Sequence, residues 1–107
     1  MPVAASCKSV IHLFLPVRFT WDPRKAAINL RKHGVTFEEA TTVFGDPLAL
    51  IVEDSADPDR ALIIGESVVQ RVLVTVFLEV HEQAIRIISA RRATKRERRR
   101  YGSGEDE

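Results

Sequence analysis

The sequence predicts an α+β domain: an antiparallel sheet with two N-terminal helices packed on it and a short C-terminal helix. Three observations carry this. Helical periodicity with capping signals occupies residues 22–44, four β-rich runs with short polar connections follow, and a last capping signal stands at Thr94. With 107 residues, 45% of them hydrophobic and 29% charged, the chain suffices for one packed core.

Phe19 to Trp21 reads as a short strand. Asp22-Pro23 then opens a helix, because aspartate caps free N–H groups and proline is tolerated at the first helical position. Gly34 supplies its left-handed stop. Thr36 and Glu39 have capping-box spacing and open the second helix, whose buried stripe is Phe37, Ala40 and Phe44. Asp46-Pro47 ends it. The β-rich runs are Leu48–Glu53, Ala61–Gly65, Val68–Val80 and Ala84–Ala90, joined by polar turns at Asp54–Asp59 and His81–Gln83. Consecutive strands on short loops pair antiparallel. Thr94 and Glu97 repeat the capping-box spacing and start a helix through Tyr101. That helix has no apolar stripe, so Ala93, Glu97 and Tyr101, on one side of it, are expected to dock on the sheet with the arginines outward. Trp21 and Phe44 are read as core.

Residues 1–18 form an N-terminal extension, residues 19–101 the domain, and residues 102–107 a disordered tail. A single cysteine, Cys7, leaves no disulfide framework and fits a reducing compartment. The apolar stretch Val10 to Val17 is far shorter than the roughly 20 residues of a membrane span and has no signal-peptide cleavage site. The expected location is cytoplasmic, with no membrane partner.

The net charge of +1 conceals a segregation. From Arg86 to Arg100 eight basic residues face one acid, Glu97; from Thr36 to Glu66 eight acids face Arg60 alone. Such a dipolar surface offers a polyanion site at its basic end. Metal chemistry is set aside: His12, His33 and His81 are scattered, and Asp54, Asp57 and Asp59 lack calcium-loop spacing. No metal and no other cofactor is expected. Phosphate loops and nucleophile elbows are absent too.

What remains is a set of arginines with a few proton carriers: His33, Glu97, Tyr101, Lys32 and Lys95. RNA cleaves itself when its 2′-hydroxyl is deprotonated and aligned with the phosphate, and guanidinium groups stabilise the developing charge. Arg86 lies inside the apolar "AIRIISA" and Arg71 inside "VVQRVLVTVF", where an unpaired charge is costly. The bland reading of Arg86 is an ion pair with Glu39 or Glu79; that of Arg71 is an exposed strand start. His33 closes a helix, where an imidazolium also suits the C-terminal dipole. By strict alternation Arg86, Ile88 and Ala90 share one face while Ile85, Ile87, Ser89 and Arg91 share the other; Arg86 and Ser89 line one cleft only if a bulge intervenes or the strand ends early.

Three stretches resemble the BrnT toxin family: "FTWDPRKAAINLRKHGVTFEEATTVFGDPLAL" (19–50), "ALIIGESVVQRVLVTVF" (61–77) and "IRIISARRATKRERRRY" (85–101). The resemblance implies a RelE-like fold and a metal-independent endoribonuclease that inhibits translation. It also implies a BrnA-like antitoxin, which alone would contact operator DNA. By position it carries over Lys32, His33, Arg60, Arg71, Arg86, Ser89, Arg91, Glu97 and Tyr101. The expected roles put Arg71 and Arg86 on the scissile phosphate, and Arg91, Arg92 and Lys95 on flanking phosphates. His33 or Glu97 would take the 2′-proton, and Tyr101 would stack a base or donate a hydrogen bond. Departures are the 18 leading residues and a short loop before Arg60. The rival class is a non-enzymatic nucleic-acid- or partner-binding module built on the basic C-terminal helix.

Overall fold

The computed structural model describes residues 17–80 and 83–103. Strand β1 (Arg18–Thr20) leads into helix α1 (Pro23–His33) and helix α2 (Phe37–Thr42), which tightens into a 3₁₀ turn over Val43–Gly45. Strands β2 (Leu50–Glu53), β3 (Ala61–Glu66), β4 (Val72–Val80) and β5 (Ala84–Arg92) follow, then helix α3 (Lys95–Ser103). The expected extension and tail fall mostly on residues 1–16 and 104–107, outside the described residues, as do two residues of the His81–Gln83 turn.

The helix ends follow the sequence signals. Asp22 accepts the Arg24 N–H at 2.9 Å, and Gly34, at φ 72°, donates its N–H to the Leu30 carbonyl. Thr36 accepts the Glu39 N–H, but the Glu39 carboxylate does not reach back to complete the box; it goes to the β3–β4 connection instead. At α3 the box is complete: Glu97 accepts the Thr94 N–H at 2.8 Å and Thr94 accepts that of Glu97 at 3.1 Å.

The sheet runs β1-β5-β4-β3-β2. From β2 to β5 all neighbours are antiparallel, as expected, but β1 pairs parallel with β5, so the sheet is mixed. Hairpin logic governs β2–β5 because short loops join them. No hairpin joins β1 to anything: α1 and α2 carry the chain across the sheet to β2, leaving β1 at the far edge beside the last strand.

One face of the sheet carries the main core. Val35, Phe37, Ala40 and Val43 pack there on Ile63, Leu73, Phe77, Ile85, Ile87 and Ala90. Edge-on rings lock it, Trp21 against Phe37 at 5.8 Å and Phe44 against Phe77 at 5.0 Å. Burying Phe37 alone contributes about 2–3 kcal/mol. The opposite, outer face carries a smaller cluster of Ile64, Val74 and Ala93, with Tyr101 of α3 laid on it.

Helix α1 sits at the sheet edge. β1 pairs only with residues 84–86 of β5, and beyond it the Asn29 carboxamide takes over. Its nitrogen donates to the Ala90 carbonyl at 2.8 Å and its oxygen accepts the Ala90 N–H at 3.1 Å. That side chain thus makes one rung of a missing strand and caps an edge open to foreign pairing.

Candidate functional site

The register of β4 against β5 passes from Phe77↔Ile87 to Val76↔Ser89, leaving Ile88 as an extra residue. This is the bulge that strict alternation lacks. Before it, Ile85 and Ile87 face the core; after it, Ala90 does. Arg86, Ser89 and Arg91 therefore share the outer face, successive members standing about 6–7 Å apart along the strand. Beside them run Val76 and Leu78, both half-buried. Arg86 makes no hydrogen bond or ion pair with another described residue. Of the two acids offered to it by its bland reading, Glu39 is engaged by Arg71 and Ser67, and Glu79 pairs with core-facing Ile85 and so stands on the other face of β4.

Parallel pairing adds residues that sequence reasoning missed. Thr20 lies beside Arg86 and Arg18 beside Ala84, so Arg18 extends the cationic row. No local signal announces this, since it depends on where β1 pairs.

Arg91 is held by α3. Its two terminal nitrogens donate to the two oxygens of Glu97, each at 2.9 Å. Chiefly through that donation, and despite partial burial, the Glu97 carboxyl is held down to about 2. A carboxylate so weakly basic is poor at taking a 2′-proton; its geometry is that of a clasp. Tyr101 is the second clasp: its hydroxyl donates to Asp46 Oδ2 at 2.6 Å, and Asp46 also accepts the Glu66 and Leu48 N–H groups. The bond to Asp46, with burial, pushes the phenol up to about 12. Its proton is committed within the fold.

Arg71 belongs to the other side of the sheet. Its Nε and Nη2 donate to the Glu39 carboxylate, and Nη2 also reaches the Gly34 carbonyl at 3.3 Å. Ser67 donates to the same carboxylate at 2.6 Å. Hydrogen bonding from Arg71, then from Ser67, lowers the Glu39 carboxyl against the desolvation that would raise it. The expected single pocket of Arg71 and Arg86 is thus corrected. Arg86 pairs with Leu78, seven residues beyond Arg71, so the two side chains leave opposite faces from backbone positions about 23 Å apart along the strand. Arg71 follows a turn in which Gln70 adopts φ 69°, and it ties α1, α2 and that turn together.

The remaining candidates divide around α1. Ala26 packs into the main core. On the helix, Ala26 and His33 flank Asn29 on one side, Lys25 and Lys32 on the other. With Asn29 aimed at the sheet edge, His33 therefore lies on the core side, while Lys25 and Lys32 border the outer face. Arg92 follows Arg91 onto the core side, where its charge reaches Glu39. Lys95 opens α3 and is exposed. Arg60 ends the β2–β3 loop and meets Asp57 at 3.4 Å. Among the described residues no three of His, Cys, Asp and Glu converge as metal ligands, and no helix is long and apolar enough to cross a membrane.

The outer face thus offers an arginine with no partner among the described residues, in a row of cations, over an aliphatic floor, beside a polycationic helix. The chain is similar to the Brucella abortus ribonuclease toxin BrnT, whose crystal structure at 1.1 Å superposes with a TM-score of 0.61 at 27% identity, covering 74% of this chain and 99% of that one. No curated protein matches it. Residues 21–97, most of the described sheet and helices, match the model of the BrnT ribonuclease toxins of type II toxin–antitoxin systems, and the chain belongs to that family.

Proposed function

We propose that this toxin is a cytoplasmic, metal-independent endoribonuclease that inhibits translation, and that a BrnA-like antitoxin neutralises it and alone contacts operator DNA. The observation that supports this best is the bulge at Ile88, which aligns Arg86, Ser89 and Arg91 on one open face. The four antiparallel strands support a RelE-like reading, from which β1 departs.

In this reading Arg86 grips the scissile phosphate through its planar fork and stabilises the charge that builds as the 2′-oxygen attacks. Ser89 donates a hydrogen bond to the same group. Arg18, Lys25, Lys32 and the exposed Lys95 hold flanking phosphates and set the path of the strand. Glu97 and Tyr101 act as positioning residues: they fix α3 and Arg91 rather than move protons. Arg71 stabilises the core side of the fold, Arg92 adds its charge near Glu39, His33 is exposed on that side, and Arg60 lies outside the row.

The test incubates the pure protein with single-stranded RNA in EDTA and examines the ends. Products ending in 2′,3′-cyclic or 3′-phosphate are expected. Dependence on an added divalent ion, or 3′-hydroxyl ends, would overturn the metal-free mechanism; salt-dependent binding without cleavage would favour the binding-module class.

A further inference from the structure

Helix α1 is unusually bare. Asn29 is its one buried residue, and Ile28 and Leu30 are 51% and 47% exposed. Ile28 is surrounded at the i±3 and i±4 positions by Arg24, Lys25, Arg31 and Lys32, all exposed. The helix contains no acid, and only its capping Asp22 is negative. Both ends are capped and the Asn29 bonds pin it to β5, so the surface is rigid before anything binds.

We infer that this isoleucine-centred, four-cation flank of α1 is the docking surface for an acidic segment of the antitoxin, with Ile28 as its apolar anchor. The inference deepens the function proposed above by naming the surface that the antitoxin takes. The charge pattern selects an acidic partner. The exposed isoleucine favours protein over nucleic acid, because a phosphate backbone gains little from an aliphatic side chain, whereas a protein pocket gains a central anchor. Position supplies the consequence. Lys25 and Lys32 border the outer face, so a carboxylate-rich segment seated on Ile28 occupies the rim that phosphates would use. Neutralisation then works by competition for cations rather than by deforming the sheet.

The test measures affinity for the purified cognate antitoxin and, separately, RNA cleavage by toxin alone. Ile28→Ser, which removes the apolar anchor at an exposed position without adding charge, should melt as the wild type does, cleave RNA at the wild-type rate and bind antitoxin about thirtyfold more weakly, the effect of losing a hot-spot side chain. Arg24→Glu should weaken antitoxin binding and reduce its salt dependence. Unchanged antitoxin affinity in both variants would overturn the proposal. So would loss of RNA binding without loss of antitoxin affinity, which would make the flank an RNA surface, or loss only of toxin self-association, which would assign it to a second copy. If the wild type cleaves no RNA while the affinities behave as stated, the ribonuclease reading falls and the docking surface stands.

Discussion

Arg71 and Arg86 make an instructive pair. Each interrupts an apolar strand sequence, and each would cost heavily if buried without a partner. Arg71 faces the helices, where Glu39 receives it and its side chain is 28% exposed. Arg86 faces outward, where the acid-poor surface of β1, β4 and β5 provides no partner among the described residues. A cation in an apolar run is therefore structural or functional according to the face it takes and whether a carboxylate can follow it there.

The largest effect should come from breaking the outward member. Arg86→Ala is expected to lower RNA cleavage about 10²- to 10³-fold, as for loss of a preorganised donor at a developing oxyanion. Its thermal midpoint should stay near the wild type's, because no ion pair is lost. Arg71→Ala should do the reverse. It strands the Glu39 carboxylate beside Ser67, costing about 2–3 kcal/mol in urea unfolding, below the range for a fully buried pair because the Arg71 side chain is partly exposed. Cleavage by the folded fraction should persist. If Arg71→Ala silenced a fully folded protein, or Arg86→Ala unfolded it, the division of labour between the two faces would be wrong.

The local architecture was legible where the signal is local. Asp22, Gly34, Thr36 and Thr94 mark helix boundaries because capping depends on residues within one turn. Consecutive strands on short loops declared four antiparallel partners for the same reason. The parallel placement of β1 was not legible, since nothing in Arg18–Thr20 reports which strand it will meet, and with it went Arg18 as a member of the cationic row. The bulge was named as a condition without being locatable: Ile88 looks like any other apolar strand residue until β4 is laid beside it. Arg71 misled for a related reason. The run from Val68 reads as continuous strand, whereas Gln70 turns the chain and delivers the guanidinium to α2.

The finest distinction between the two sides concerns acid. Glu97 clasps Arg91 on the outer face and Glu39 clasps Arg71 on the helix side, and both carboxyls lie below their usual 4.5. A group whose folded value is depressed stabilises the fold fully above its unfolded value and loses that contribution as pH falls toward the folded one. For Glu97 the window runs from about 4.5 down to about 2, and Asp46, which holds Tyr101 and is also lowered, acts in the same direction. The consequences differ because the clasps hold different things. Glu39 ties together elements of the main core, so protonating it should lower global stability. Glu97 holds a short helix that cannot persist alone in water, so protonating it should free α3 first. Amide exchange at Arg98–Tyr101 should therefore accelerate as pH falls through this window, relative to the intrinsic rate and to amides of β4. Glu97→Gln should show that faster exchange already at neutral pH and flatten its acid dependence. If α3 and β4 lose protection together in the wild type, the two carboxylates hold one cooperative unit, and the C-terminal helix is as firmly built into the fold as the core beneath it.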